Sequence, residues 1–121
     1  MQEKNNSQFN HFKLHTQYSI CEGAIKIEDL KEYCKMNKVQ SAGISDSSNL
    51  CGALEFSENM AKVGCQPIIG TQIIFNYKNH FGLVPLIAKN ELGYQKIIEL
   101  SSKSYLLNND LNIPNCNFDD L

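Results

Sequence analysis

One imidazole, His15, and two carboxylates, Glu22 and Asp46, stand at the ends of two strand-like runs and in the turn between them. A strand ending in histidine, a turn carrying an acid and a second strand ending in aspartate can build a metal cup at one rim of an α/β barrel. The chemistry of such a cup is activation of a hydrolytic water. Lys13 lies two residues before His15, and Ser47 follows Asp46. An ammonium stands where a dication would be repelled, and a hydroxyl is a poor ligand, so the same stretch also argues against a working centre. Read on alternation alone, His11, Lys13 and His15 are the solvent side of an amphipathic strand whose inner side is Phe12 and Leu14. Asp46 then becomes a turn or capping residue, Glu55 a surface or packing residue, and His80 a solvated loop histidine beside the polar Asn76-Tyr-Lys-Asn79 turn. Both readings stand at this level.

The elements that must position these groups alternate. Residues 1–8 are polar and read as a disordered tail, with the domain proper over 9–121. Phe9 to Thr16 reads as a strand. Ile27, Leu30, Tyr33 and Cys34 recur at helical spacing, and Glu28 and Asp29 fall in the first turn, where the helix dipole favours acids. Ser41 to Asp46 reads as a short buried strand. A second helix is expected from about Leu50 to Val63, capped by Ser48 or Asn49 and followed by Gly64. Pro67 to Phe75 reads as a strand with an internal bend at Gly70, and Leu83 to Ala88 as another. Asn90 caps a third helix carrying Tyr94, Ile97, Ile98 and Tyr105; Tyr33, Tyr94 and Tyr105 take core-facing positions. The expected sum is four strands and three helices in an open, largely parallel sheet with at least one free edge. After Leu107 the chain reads as a polar loop broken at Pro114. Asn117 with Asp119 and Asp120 then looks like a helix about to begin, which suggests a piece of something longer.

Composition bounds the partners. With 121 residues and 42% hydrophobic content, one compact domain is possible in surface-to-volume terms. The net charge is −2, and all eleven basic residues are lysines, so no basic footprint or guanidinium fork argues for autonomous nucleic-acid binding. The five cysteines, odd in number and without a CxxC pair, fit a reduced, cytoplasmic protein. There is no signal-like apolar segment near Met1 and no run long enough to cross a membrane.

Four blocks occur in order: Phe12-Lys-Leu-His15-Thr-Gln-Tyr-Ser-Ile-Cys-Glu-Gly-Ala, Gly43-Ile-Ser-Asp-Ser-Ser-Asn-Leu-Cys-Gly-Ala-Leu-Glu-Phe56, Gly64-Cys-Gln-Pro-Ile-Ile-Gly70 and Leu86-Ile-Ala-Lys-Asn-Glu-Leu-Gly-Tyr94. Together they resemble the N-terminal PHP (polymerase and histidinol phosphatase) domain of bacterial replicative DNA polymerase III alpha subunits. The resemblance implies an α/β fold, a partial (β/α) barrel of the PHP type corresponding to roughly the first half of a distorted, TIM-like, seven-stranded barrel. It also implies a set of remnant metal-site positions: Lys13, His15, Glu22, Asp46, Ser47, Gln72 and Leu83. Lys13, Ser47, Gln72 and Leu83 stand where active members carry ligands; His15 and Glu22 keep ligand chemistry, and Asp46 remains. His80, three residues before Leu83, is the one nearby residue that a shifted alignment would offer in its place.

The resemblance further implies a degenerate site with no metal cofactor and no catalytic residue. The role is structural or subunit-docking within a DNA-directed DNA polymerase, a nucleotidyltransferase acting in replication. The partners it implies are the remainder of the polymerase chain, a proofreading exonuclease subunit, and DNA only through the full-length protein. Self-association of a fragment through a free sheet edge is a further expectation. The alternative is a zinc- or manganese-dependent phosphoesterase, either a 3′–5′ exonuclease or a histidinol-phosphatase-like enzyme. Lys13 is expected to replace the cation, held by Glu22 or Asp46.

Overall fold

The computed structural model describes residues 9–106 and 113–121. The expected tail over 1–8 and the first part of the expected polar loop, through residue 112, lie outside the described residues. The elements are α1 (Ile27–Met36), β1 (Ser41–Ser47), α2 (Ala53–Lys62), β2 (Gln66–Tyr77), β3 (His80–Ile87), α3 (Glu91–Leu106), β4 (Asn115–Asn117) and a closing 3₁₀ turn, Phe118–Asp120. β2 is the spine of the sheet. β1 runs parallel to its first half, with Ser41 opposite Gln66 and Ser47 opposite Gln72. β4 runs parallel to its second half, Ile74 to Asn76. On the other side β3 returns antiparallel, pairing His80 with Tyr77 and Ile87 with Gly70.

The sheet is therefore mixed: β1, β2 and β4 run parallel, as expected, and β3 runs against them. Lys78 and Asn79 both adopt left-handed backbone (φ 47° and 64°), the conformation of a two-residue hairpin turn whose twist matches the strands it joins. That turn places His80 at the start of a strand, opposite Tyr77, and not in a loop. Four strands are present among the described residues, as expected, but the set differs. Phe9–Thr16 lies beside β1 through alternating hydrogen bonds, Gly43 N to His11 O (2.7 Å) and Ser45 N to Leu14 O (2.8 Å). It registers only as bridges at Leu14–Ile44 and Thr16–Ile25. Asn115–Asn117 supplies the fourth strand where a loop was expected. β3 pairs with β2 alone among the described residues, which leaves the expected free edge.

All three helices pack on one face. Ile44 and Ile69 are lateral partners and join Ile27, Leu30, Cys34, Phe56, Met60 and Cys65 in a cluster beneath α1 and α2. Ile73, Phe75, Leu100 and Cys116 form a second cluster beneath α3. Each fully buried large side chain here contributes about 1.5–3 kcal/mol of transfer free energy. Alternation puts Gly70, Gln72, Ile74 and Asn76 of β2 on the opposite face, with Ser45 and Ser47 of β1 and Phe81, Leu83, Pro85 and Ile87 of β3. No helix covers that face among the described residues, and it carries the candidate site.

Several local expectations change. Gly70 is not a bend: β2 runs through it, and a Cβ there would lie 2.5 Å from the Leu86 carbonyl oxygen, so the glycine lets two strands close on β2. α2 starts at Ala53 after Gly52, because Ser48 takes a left-handed φ (58°) and Asn49 uses its side chain in the turn, accepting from Cys51 N. Gly64 follows α2 as expected. Asn90 does cap α3, accepting from Gly93 N at 2.9 Å. Tyr33, Tyr105 and Ile98 are exposed, since α1 and α3 turn Cys34, Ile97 and Leu100 inward instead. The turn expected at Asn117 forms as a single 3₁₀ turn, pinned by Lys103 bonding Asp120 at 3.0 Å.

Burial raises the Cys34 thiol from its ordinary 9.0 to about 11, with the neighbouring Cys65 adding to the effect. The unfolded chain loses that proton first, so this contribution to stability is intact below pH 9 and is lost as pH rises to about 11. Thermal melts should decline across that window more steeply for the native chain than for Cys34→Ala. Parallel declines would contradict the assignment.

Candidate functional site

The turn after the first extended segment is built around Asp46. This aspartate is 1% exposed and lies at the end of β1 on the helix side of the sheet. Its carboxylate accepts three hydrogen bonds: from Thr16 N (2.6 Å), Thr16 Oγ1 (2.7 Å) and Ser19 Oγ (2.7 Å). Ser19 Oγ in turn accepts from Ser47 N at 3.0 Å. A carboxylate so surrounded has its oxygens committed to holding the turn, and its burial is tolerable because it is satisfied. Gly23 closes the same turn: its N–H donates to Ser19 O (2.9 Å), and Gln17 N donates to Ile25 O (2.9 Å). A Cβ on Gly23 would overlap the Thr16 carbonyl.

The open face carries the other candidates. Gln72 is 1% exposed, and its Nε2 lies 2.9 Å from Nε2 of His15 and 3.4 Å from Ser45 O. Ser47, the lateral partner of Gln72, donates its hydroxyl to Glu22 Oε2 at 2.6 Å. His15, Gln72, Ser47 and Glu22 are thus brought together at one rim. Leu83 lies on the same face, opposite Ile74 and half exposed. Asp46 points to the other face.

Lys13 corrects an expectation. Its side chain is not held in the cup: no ion pair joins it to Glu22 or Asp46. Asp46 is saturated by Thr16 and Ser19, and Glu22 receives the Ser47 hydroxyl, so neither acid holds Lys13. Alternation placed Lys13 on the side of His15, but the residue is exposed, and a long lysine stem readily carries its ammonium out to water.

Sequence reasoning passed over the contributions of Thr16, Ser19, Tyr18 and the Asn49 amide. Thr16 and Ser19 carry the signal of two hydroxyls three residues apart ahead of a glycine, a spacing that suits a carboxylate-centred turn. Tyr18 donates its hydroxyl to Glu55 (2.5 Å), and that bond, with burial, raises the phenol above its ordinary 10.0. Glu55 therefore ties the turn to α2. Asn49 donates to Tyr18 O (2.8 Å) and Ser47 O (3.1 Å), fastening the same turn from β1's end.

A family model described as the PHP domain matches residues 11–120. The chain belongs to the PHP domain family. A DNA polymerase III subunit alpha from Campylobacter jejuni is 38% identical over 110 residues, which covers 83% of this chain and 9% of that protein. One from Rickettsia felis is 35% identical over 115 residues, covering 94% of this chain and 10% of that protein. The chain spans about a tenth of the length of the curated relatives it matches. Among solved structures, a Bifidobacterium adolescentis protein provisionally described as a metal-dependent phosphoesterase aligns with a TM-score of 0.59 at 18% identity. The alignment covers 78% of this chain and 32% of that one. That likeness supports the α/β fold of this PHP chain.

A PHP fold raises the question of metal. The residues present do not fit one. A catalytic centre needs about three protein ligands and an open position, and no group of three or more His, Cys, Asp or Glu side chains converges among the described residues. His15 Nε2 faces an amide, Glu22 a hydroxyl, and Asp46 is turned away and fully bonded. The two unpartnered buried atoms here, His15 Nδ1 and Gln72 Oε1, add one imidazole nitrogen and one neutral oxygen, which is too few for a cation.

Proposed function

We propose that this PHP domain is a structural and subunit-docking module of a DNA polymerase III alpha subunit, acting in DNA replication without hydrolytic chemistry of its own. The observation that carries the reading is the hydrogen-bonded closure of the site: His15 on Gln72 and Glu22 on Ser47, with Asp46 consumed by Thr16 and Ser19. Kinship to alpha subunits over most of the chain supplies the replicative context. In this reading the described sheet is the first half of a PHP barrel, and its helix-free face is the barrel interior. The remainder of a polymerase chain completes it, and DNA is met only through that larger protein.

The proofreading exonuclease subunit is the proposed docking partner. The test is titration of the chain with the cognate exonuclease subunit, read by calorimetry and by co-elution in gel filtration. A stoichiometric complex is expected. Absence of binding at tens of micromolar would reject the docking role while leaving the structural one. The phosphoesterase reading draws on the solved neighbour's description and on the two surviving donors, His15 and Glu22. The ligand count among the described residues weighs against it.

A further inference from the structure

The misfit between these residues and a metal has a specific cause. His15 sits on the extended segment, Gln72 on β2, Ser47 on β1 and Glu22 in the turn, so the contacts of these four side chains span all four backbone pieces of the rim. Gln72 and Ser47 are register partners, each neutral, and each is in hydrogen-bond contact with one of the two metal-competent side chains, at 2.9 Å and 2.6 Å. We propose that Gln72 and Ser47 are the residues that exclude a divalent cation from this rim, by engaging the Nε2 lone pair of His15 and one carboxylate oxygen of Glu22 from register-paired positions on β2 and β1. The Gln72 amide donates to His15 Nε2, which places the ring proton on Nδ1. The nitrogen that would face a cation is thereby occupied.

Lys13 has no part in the exclusion, because it lies outside this set of contacts. Position 83 is also outside it, opposite Ile74 and two residues along β2 from Gln72. The rim is thus close to a cation site in geometry and two side chains away in chemistry. Replacing the neutral pair by a carboxylate and an imidazole would give four convergent donors with His15 and Glu22, enough for three protein ligands and an open position on a borderline ion such as Zn²⁺ or Mn²⁺. The inference rests on the degenerate-site reading above, but it is read by metal affinity, whereas the docking role is read by exonuclease binding, so each can fail alone.

The experiment is titration of the 121-residue chain with Zn²⁺ and with Mn²⁺ by calorimetry, using the native chain and the Gln72→Glu/Ser47→His, Lys13→His and Leu83→His variants, with folding checked by circular dichroism. The double variant is expected to gain one site at least tenfold tighter than anything in the native chain, and to lose it when His15→Ala is added. Lys13→His and Leu83→His alone are expected to gain nothing. A native chain that already binds one equivalent through His15, a folded double variant that gains no site, or a gain from Lys13→His alone would each overturn the proposal. Should the double variant not fold, nitrogen-15 chemical shifts of His15 in the native chain decide: a proton on Nδ1 with Nε2 accepting supports the assignment, and a proton on Nε2 overturns it.

Discussion

Asp46→Ala should cost about 3–5 kcal/mol, because leaving a buried donor without its acceptor costs about 1–3 kcal/mol and three are affected. The substitution strands Thr16 N–H, Thr16 Oγ1 and Ser19 Oγ, all on residues that are fully buried, so three donors lose their acceptor at once. For a domain of this size the melting temperature should fall by more than about 10 °C. Ser47→Ala removes only a partly exposed hydroxyl bond to Glu22 and should cost about 1 kcal/mol or less. Thermal denaturation of the two variants checks the contrast. An Asp46→Ala melt within about 2 °C of the native chain would mean that the carboxylate does not organise the turn.

Gly23→Ala should be nearly as damaging for a different reason. Its Cβ would overlap backbone atoms of Thr16 and His15, and backbone cannot rotate away as a side chain end can. Either the Thr16–Ile25 bridge opens or the segment carrying His15 shifts. We expect a loss of about 3 kcal/mol, at the upper end for overpacking, accompanied by exchange broadening of amides from Gln17 to Ile25. Gly82→Ala is the control: its Cβ meets open space, and the change should stay within about 0.5 kcal/mol. Equal effects at the two glycines would contradict the close approach.

The helices and the spine of the sheet were legible in the sequence because their signals are local. Acids in the first turn of α1, Asn90 before α3 and Gly64 after α2 mark boundaries by interactions within a few residues. The direction of β3 was missed because two consecutive left-handed residues, Lys78 and Asn79, make the hairpin without a glycine. β4 was missed because three residues of strand owe their conformation to β2, a long-range partner. Phe9–Thr16 alternates as a strand should, yet alternation does not say how completely a segment pairs.

At the site, residue types were readable and destinations were not. His15 meets Gln72, and Glu22 meets Ser47. Asp46 follows Ser45 and precedes Ser47, and that single step of the pleat sends it to the opposite face, where Thr16 and Ser19 take it up. Lys13 had the right parity for the cup, but its side chain is exposed and pairs with neither acid. Pairings of this kind depend on which donor reaches an acid first, and a linear pattern does not encode that.

The most direct test of a metal-free PHP domain is anomalous scattering from crystals of the chain grown with Mn²⁺ or Zn²⁺. The expected result is no metal cluster at the rim of His15, Glu22, Ser47 and Gln72, with the Gln72 amide still on His15 and the Ser47 hydroxyl still on Glu22. Two or three transition-metal peaks coordinated by His15, Glu22 and their neighbours would contradict it and restore a hydrolytic role for the domain.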